Sequence, residues 1–169
     1  MSKEREMRRN MVPGTGRFVA PSITVYSMKS SGDAAPVRVI QGPQTQLNSQ
    51  ERLFVDSEHG EIFVANDTDH SILVFPIGSS GDVAPLRILK GPSTGLVNPS
   101  DLYVDTKNDE LVVANAGSYS TTVFSRTASG DTPPLRTIRT APQGKRSPII
   151  QSPGAVDFDT KRDEILVPN

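Results

Sequence analysis

The residues in this sequence that could do chemistry are acidic and amide side chains that recur at a regular spacing. Each of three aspartates is followed ten residues later by an asparagine. Rings of such oxygen ligands could hold a hard cation such as calcium. Alternatively each side chain accepts backbone hydrogen bonds in a turn, which we favour because a functional site normally breaks a repeat. The residues are Asp56, Asp105 and Asp159, with Asn66, Asn115 and Asn169.

Histidines and serines do not form a catalytic pattern. His59 and His70 are the two histidines, and neither recurs as histidine at the equivalent position of the other repeats. A metal site needs several convergent ligands, so we predict that both are solvent-exposed turn residues. The serines before the repeated Gly-Asp pairs have no histidine in register for a nucleophilic triad. We therefore predict no catalytic residue, no metal site and no cofactor. These serines are Ser30, Ser31, Ser79 and Ser80.

Composition narrows the classes of function further. The chain has 169 residues, the size of one domain, with 18 basic and 19 acidic residues and a net charge of -1. Without a basic excess, nucleic acid is not a predicted partner. The absence of cysteine excludes disulfides and thiolate sites. No apolar window reaches the ~18 residues of a membrane span, and the start MSKEREMRRN is not followed by the apolar core of a secretory signal.

A repeat organises the chain from residue 22 onward. The segment VDSEHGEIFVAN at 55–66 returns as VDTKNDELVVAN at 104–115 and as FDTKRDEILVPN at 158–169. The first offset is 49 residues and the second is 54. We expect the five extra residues to lie in a loop at 141–152, which is polar and contains proline.

Each repeat contains four short runs typical of strands. In one period these are LYVD at 102–105, ELVVA at 110–114, TTVFS at 121–125 and PLRTIRT at 134–140. The runs are too short for helices and are rich in β-branched residues. Four strands in a period of this length predict an all-β fold whose unit is the four-stranded blade of a β-propeller. We label these strands a to d, from the axis outward.

Strand d and the turn before it carry a second repeated segment. It reads GDAAPVRVI at 32–40, GDVAPLRIL at 81–89 and GDTPPLRTI at 130–138. The Gly-Asp pair is interpreted as a turn between strands c and d, because no helix follows it to form a phosphate site. One arginine per copy lies on the outermost strand, where a charge discourages uncontrolled sheet pairing. These arginines are Arg38, Arg87 and Arg136.

The blade sequence resembles the NHL-type and lactonase-type bacterial propellers. The resemblance rests on an aspartate after the first strand, a VVAN-like second strand and a VF third strand, and it covers residues 22–169. It implies a disc of radial sheets and makes an extracellular or cell-surface location plausible; without the resemblance, a cytoplasmic location is expected. Members range from sugar-lactone hydrolases to binding scaffolds. Lactonase-type members use carboxylates and an asparagine around a tunnel metal, a set that this sequence does not match residue by residue.

The repeat is cut between strands b and c. The predicted units are a c-d half at 22–42, whole blades at 43–91 and 92–140, and an a-b half at 141–169. Residues 1–21 are predicted to be an extended tail docked on a neighbour. The chain thus holds three blade equivalents, fewer than the four to eight of usual propellers. Two chains joined head to tail would give six blades, and three would give nine.

These complementary halves predict that the chain is its own partner. A head-to-tail contact closes into a ring or propagates as a helical filament, so we expect a non-enzymatic, self-assembling structural or scaffold protein. The alternatives are a lactonase-like hydrolase or ligand-binding module in a central tunnel, and a fragment completed by another protein. Assembly is expected to bury apolar side chains at both ends. The predicted interface residues are Ile23, Val25, Tyr26, Val37, Val39, Val156, Phe158, Ile165 and Val167.

Overall fold

The computed structural model describes residues 19–139, 142, 145 and 153–168. This part of the chain forms twelve β-strands and two short 3-10 helices, and all strand pairs are antiparallel. The prediction of an all-β fold is therefore confirmed. The predicted tail at 1–21 and loop at 141–152 lie largely outside the described residues. No helix in the described ranges is long and apolar enough to cross a membrane.

The strands form four sheets that follow chain order. Sheet 1 contains β1 and β2, sheet 2 contains β3 to β6, sheet 3 contains β7 to β10, and sheet 4 contains β11 and β12. Consecutive strands are neighbours in every sheet. The strands are β1 (Ser22–Val25), β2 (Arg38–Gln41), β3 (Gln50–Asp56), β4 (Glu61–Asn66), β5 (Ser71–Pro76), β6 (Arg87–Leu89), β7 (Pro99–Asp105), β8 (Glu110–Asn115), β9 (Ser120–Ser125), β10 (Arg136–Ile138), β11 (Asp157–Asp159) and β12 (Glu164–Leu166).

Sheets 2 and 3 are the same structural unit. Asp56 pairs with Glu61 across the first hairpin of sheet 2, and Asp105 pairs with Glu110 at the same place in sheet 3. Both first strands carry a register shift near their beginning. The outer strand is shorter than predicted, since β10 covers Arg136–Ile138 rather than 134–140. Proline at 134 explains the later start, because it has no N–H for the ladder.

The four sheets stack face to face, because the central strands are apolar on both sides. In β4, Ile62 and Val64 join a cluster with sheet 1, whereas Phe63 and Ala65 join a cluster with sheet 3. Sheet 3 repeats this arrangement, with Val112 in a cluster that includes residues of sheet 4. Burial on both faces explains the nearly continuous apolar runs of the b strands, where strict alternation would indicate one exposed face. Among the described residues, no hydrophobic cluster joins sheet 4 to sheet 1.

Candidate functional site

The repeated aspartates lie at the end of each a strand and organise its hairpin turn. Asp56 accepts a hydrogen bond from the backbone N–H of His59 at 3.0 Å. Asp105 accepts two from the next turn, including the N–H of Lys107 at 3.0 Å. Asp159 likewise accepts from the N–H of Lys161 at 2.9 Å and from the following residue. The turn interpretation predicted this role, and it accounts for the recurrence without a metal.

The third residue after each aspartate adds a side-chain donor, and its type changes from copy to copy. The second carboxylate oxygen of Asp56 lies 2.8 Å from Nδ1 of His59. The equivalent contacts come from Asn108 at 2.6 Å and from Arg162 at 2.6 Å. His59 is therefore an exposed turn residue, as predicted, but its ring is paired with a buried carboxylate. Three different types of hydrogen-bonding side chain therefore occupy this position.

The repeated asparagines connect strand b to the loop before strand a. Oδ1 of Asn66 accepts a hydrogen bond from the N–H of Asn48 at 2.6 Å, and Oδ1 of Asn115 accepts from the N–H of Val97 at 3.2 Å. Both asparagines are fully buried. Their amide groups donate to a hydroxyl of strand c, Ser71 in sheet 2 and a threonine in sheet 3. The third asparagine, at position 169, lies outside the described residues.

The structure does not bring the candidate ligands together. The described residues contain no group of three or more histidine, aspartate or glutamate side chains that could hold a metal ion. His70 is exposed in its turn, and its Nδ1 accepts a hydrogen bond from the N–H of Asn98 at 3.0 Å. The second histidine thus ties the b-c turn of sheet 2 to the loop that enters sheet 3.

An ionic cluster that the sequence analysis missed lies between sheets 2 and 3. Arg87 donates to both carboxylate oxygens of Glu61, at 2.7 and 2.8 Å. Arg126, from the turn after β9, donates to Glu61 at 2.9 Å and to Asp109 at 2.6 Å. Arg126 also approaches the carboxylate of Asp56 at 3.9 Å. The equivalent positions in the other copies are isoleucine and methionine, so the break in the repeat was the available signal.

In this cluster, burial raises the pKa of the carboxyl groups, whereas hydrogen bonds and nearby positive charge lower it. Hydrogen bonds from Arg87 lower the pKa of Glu61 below its usual value, outweighing the burial that would raise it, and the charge of Arg126 adds to the lowering. Burial alone would raise the pKa of Asp56, but hydrogen bonds from His59 and the charges of His59 and Arg126 together hold it below its usual value. Both carboxylates are therefore stabilised in their ionised forms.

The repeated arginines of strand d have a different role from the one expected. Arg87 and Arg136 each form a two-point ion pair with the glutamate that begins strand b of the same sheet. In sheet 3 the partner of Arg136 is Glu110, at 2.6 Å for both bonds. Their charge is thus paired across the sheet rather than presented at its edge, which corrects the interpretation as edge protection. A glutamate recurring in step with the arginine was the signal in the sequence.

The Gly-Asp turns connect neighbouring sheets. Gly81, in the turn between β5 and β6, bonds through its N–H to Val39 O at 2.7 Å and accepts from Gln41 N–H at 3.1 Å. Gly130 makes the same two contacts, to Ile88 of β6 at 2.7 Å and to Lys90 just after it at 3.0 Å. The turn of one sheet therefore continues the ladder beside the outer strand of the preceding sheet.

The aspartate that follows each of these glycines fixes the chain where it leaves the preceding sheet. Asp82 accepts a hydrogen bond from the N–H of Gln44 at 2.8 Å, and Asp131 accepts from the N–H of Ser93 at 2.7 Å. The carboxylates sit against Gly42 and Gly91, where a Cβ atom would collide with them and where φ is 137° and 147°. Only glycine fits at these two positions.

Among the described residues, two strands that correspond to interior strands of the whole sheets have one edge without a partner, and they belong to the two-stranded sheets. β1 is paired only with β2, and β12 only with β11. The strand that a whole sheet places beside β1 is of type b, and the strand it places beside β12 is of type c. Each half-sheet therefore contains the strands that the other lacks.

The two half-sheets also expose side chains at repeat positions that are buried in the whole sheets. Tyr26 of sheet 1 is 50% exposed, whereas its equivalents Phe75 and Phe124 are fully buried. Leu166 of sheet 4 is 51% exposed, whereas its equivalents Phe63 and Val112 are almost completely buried. Tyr26 and Leu166 are on the outer faces of the stack, where the whole sheets have a neighbour and the half-sheets have none among the described residues.

The nine predicted interface residues occupy different environments. Ile23 and Val156 are already buried against sheets 2 and 3 of the same chain, so the expectation that assembly buries them is wrong. The reason is the period of two along a strand, which turns alternate side chains to opposite faces. Val37 is exposed, but so are its equivalents Leu86 and Leu135, so its exposure does not mark an interface.

Of the six other predicted positions, five are half-buried and one is exposed. Phe158 is half-buried and its ring stacks on Tyr103, with centroids 6.0 Å apart. Tyr26 is exposed, as described above. The remaining predicted positions are half-buried: Val25, Val39, Ile165 and Val167.

Comparison with known proteins gives a structural likeness and no family. No protein-family model matches the sequence, and no curated protein matches it. Among solved structures, the crystal structure of Kluyvelomyces marxianus Hsv2 is similar at a TM-score of 0.41 and 11% sequence identity. The match covers 70% of this chain and 47% of that chain. The chain thus spans about half the length of Hsv2.

Proposed function

We propose that this chain is the subunit of a self-assembling β-propeller, a non-enzymatic structural or scaffold protein. Copies join head to tail, and sheet 4 of one copy combines with sheet 1 of the next into one four-stranded blade. The composite blade lies between sheet 3 of the first copy and sheet 2 of the second. The antiparallel a-b-c-d order of sheets 2 and 3 supports this arrangement, because sheets 4 and 1 together supply the same four strands.

One observation carries the proposal: two repeat positions that are buried in sheets 2 and 3, those of Tyr26 and Leu166, are open in the half-sheets. In the composite blade, Tyr26 would pack on the partner's sheet 3 as Phe75 packs on sheet 1, and Leu166 would pack on the partner's sheet 2. Burying one such side chain contributes about 1.5–3 kcal/mol. Isolated two-stranded hairpins are marginal in water, so joining the halves stabilises both.

The register that we propose for the new strand pair is taken from the whole sheets. In sheet 2, Phe63 pairs with Val74, and in sheet 3, Val112 pairs with Val123. The corresponding pair at the joint is Leu166 of β12 with Val25 of β1 in the next copy. Backbone hydrogen bonds gained along this edge contribute a net ~0.5–1.5 kcal/mol each.

A second contact at the outer rim supports the same geometry. The Gly81 and Gly130 turns each bond to the outer strand of the preceding sheet. Gly32 is their equivalent in sheet 1, with φ of 59° against 77° and 63°. In the assembly the Gly32 turn would bond to β10 of the preceding copy. A strand edge that pairs nonspecifically would not explain a match both at the edge of β1 and at the Gly32 turn.

The number of sheets favours a ring of two copies. Each copy contributes three blade equivalents, so two copies give six, within the range of four to eight blades for propellers. Three copies would give nine, outside that range. If the rotation at the joint does not close the ring after two copies, the same joint produces a helical filament.

A disulfide placed at the joint tests the proposal directly, because the protein has no cysteine of its own. Val74 and Val123 direct their carbonyls to strand d, accepting from the N–H of Leu86 and Leu135. Their pairs with strand b are therefore of the non-hydrogen-bonded type, with Cα atoms about 4.5 Å apart, a spacing that a disulfide spans. The double variant Val25→Cys with Leu166→Cys should oxidise to a covalent species of two chains.

The control is Val25→Cys with Pro168→Cys, which stays on the same face but is two residues out of register. Diagonal neighbours in a sheet are about 7–8 Å apart, too far for a disulfide. A non-reducing gel then separates the outcomes. A band of two chains supports the ring, and a ladder overturns the ring in favour of a filament. A bridge within one chain, or equal bridging in the control, overturns the joint itself.

A further inference from the structure

Each whole sheet contains a two-point ion pair between its b and d strands. Glu61 pairs with Arg87 in sheet 2, and Glu110 pairs with Arg136 in sheet 3, all at 2.6–2.8 Å. The two residues lie 26 positions apart in both copies, and they bridge across strand c. The pair is therefore part of the repeat, like the hairpin turns.

The third copy of this pair is divided between the two half-sheets. Glu164 begins β12 as Glu61 begins β4, and Arg38 begins β2 as Arg87 begins β6. Glu164 is exposed, and among the described residues its carboxylate makes no hydrogen bond or ion pair. Arg38 donates one hydrogen bond, from Nη1 to Ile77 O at 2.8 Å. A guanidinium has five N–H donors, so most of its capacity remains.

We infer that Glu164 of one copy and Arg38 of the next form the third Arg-Glu pair and select a second copy of this chain as the partner at the joint. This inference rests on the proposed assembly and adds the two residues that restrict which chain can pair at the joint. Strand b and strand c supply apolar contacts that many edges could make. A carboxylate in this one register position restricts the match, because a charged group placed opposite its counter-charge fixes register and disfavours other partners.

The surroundings of Arg38 are consistent with an incoming carboxylate. The equivalent arginines have side chains that are 21% exposed at Arg87 and 49% exposed at Arg136. Arg87 is the more buried because Arg126, from the following sheet, joins its glutamate. Next to Arg38 the residue equivalent to Arg126 is Ile77 of sheet 2, which is uncharged and contributes only its backbone carbonyl to Arg38. The joint therefore needs Arg38 to balance Glu164, since no second cation is supplied there by the repeat.

Charge reversal tests the inference on the full-length chain. Arg38→Glu and Glu164→Arg are made separately and together, and the concentration of half-assembly is measured by dilution with light scattering or sedimentation. We expect each single reversal to weaken assembly about tenfold or more, because like charges then face each other. The double reversal should recover most of the lost affinity, since the pair is re-formed with opposite polarity. Lys29→Glu changes the net charge as Arg38→Glu does and should have little effect.

Glu164→Gln provides a milder variant that keeps the shape of the side chain, and circular dichroism on every variant checks folding. Loss in both single reversals with recovery in the double supports the pair. If wild type assembles but the double reversal shows no recovery, or only one single reversal matters, the ion pair is overturned and the assembly stands. If wild type is a stable monomer of ~18 kDa at all concentrations, both the assembly and this inference are overturned.

Discussion

The two whole sheets and the two half-sheets of this chain are built from the same repeat, yet they differ in what surrounds them. Phe124 in sheet 3 and Tyr26 in sheet 1 occupy the same repeat position, but the first is fully buried and the second is half exposed. Glu110 has its arginine within the sheet, whereas Glu164 has no partner among the described residues. The equivalent residues occupy the same position in the repeat, but they differ in which sheets lie beside them.

This comparison shows that burial in a stacked-sheet repeat depends on the next sheet along. A b strand such as β4 is apolar on both faces because sheets cover it from both sides. Sheet 4 retains the same kind of residue at Leu166, although only one of its faces is covered by this chain. Repeat proteins generally need their terminal units capped or modified. Within the described residues, the half-sheets keep large apolar or aromatic side chains at Tyr26 and Leu166, which is why we favour pairing between copies.

The largest effect is expected from truncating the equivalent aromatic residues. Phe124→Ala should lower the free energy of unfolding by about 3–5 kcal/mol, because it leaves a cavity between sheets 2 and 3. Tyr26→Ala should act instead on association, raising the concentration needed for assembly by about tenfold. Chemical denaturation at several protein concentrations separates the two. An equally large, concentration-independent loss for Tyr26→Ala would mean that its own chain covers it.

The ionic cluster gives the second comparison, between a buried arginine and a more exposed one. Arg126→Met should destabilise the protein by about 3 kcal/mol, because Glu61 loses a partner in a buried setting. The matched change Arg136→Met should cost at most about 1 kcal/mol, since that arginine is half exposed. Equal losses in urea denaturation would contradict the difference in environment.

The smallest effect is expected from acid titration. The pKa of Glu61 is lowered in the folded protein by its hydrogen bonds to Arg87, whereas the unfolded chain should titrate near the ordinary value of about 4.3. The unfolded state therefore binds more protons in acid, so this stabilisation is present above about pH 4.3 and is lost as the pH falls through the lower folded value. Glu61→Gln should flatten the dependence of the melting temperature on pH below about 5. An unchanged slope would show that other carboxylates account for it.

Much of the fold could be predicted from the spacing of residues. The offset of 49 residues, the β-branched runs and the polar turns indicated four strands per repeat, and the observed hairpins of sheet 3 fall within a few residues of the predicted ones. The role of Asp105 in its turn was also predictable, because a short acidic side chain accepts backbone hydrogen bonds locally. These features depend on neighbours in sequence, which the pattern itself displays.

Contacts between distant positions were harder to predict. Arg126 reaches Glu61, 65 residues away, from a turn whose counterparts in the other copies are apolar. Gly81 and Gly130 were recognised as turn residues, but their pairing with the preceding sheet depends on how closely two sheets stack. The expectation that assembly buries Ile23 was wrong because its face of β1 is already covered by sheet 2.

The sequence by itself determined the repeat unit, its antiparallel strands and the complementary nature of its two half-units, because these follow from local periodicity and turn chemistry. Only the tertiary structure decided which face of each strand is covered and which remains open. That decision depends on sheet stacking, which turns alternate side chains of a strand toward different neighbours. The side chains left open for a joint between copies are therefore those of Tyr26 and Leu166, with the separated Arg38 and Glu164, and not those of Ile23 and Val156.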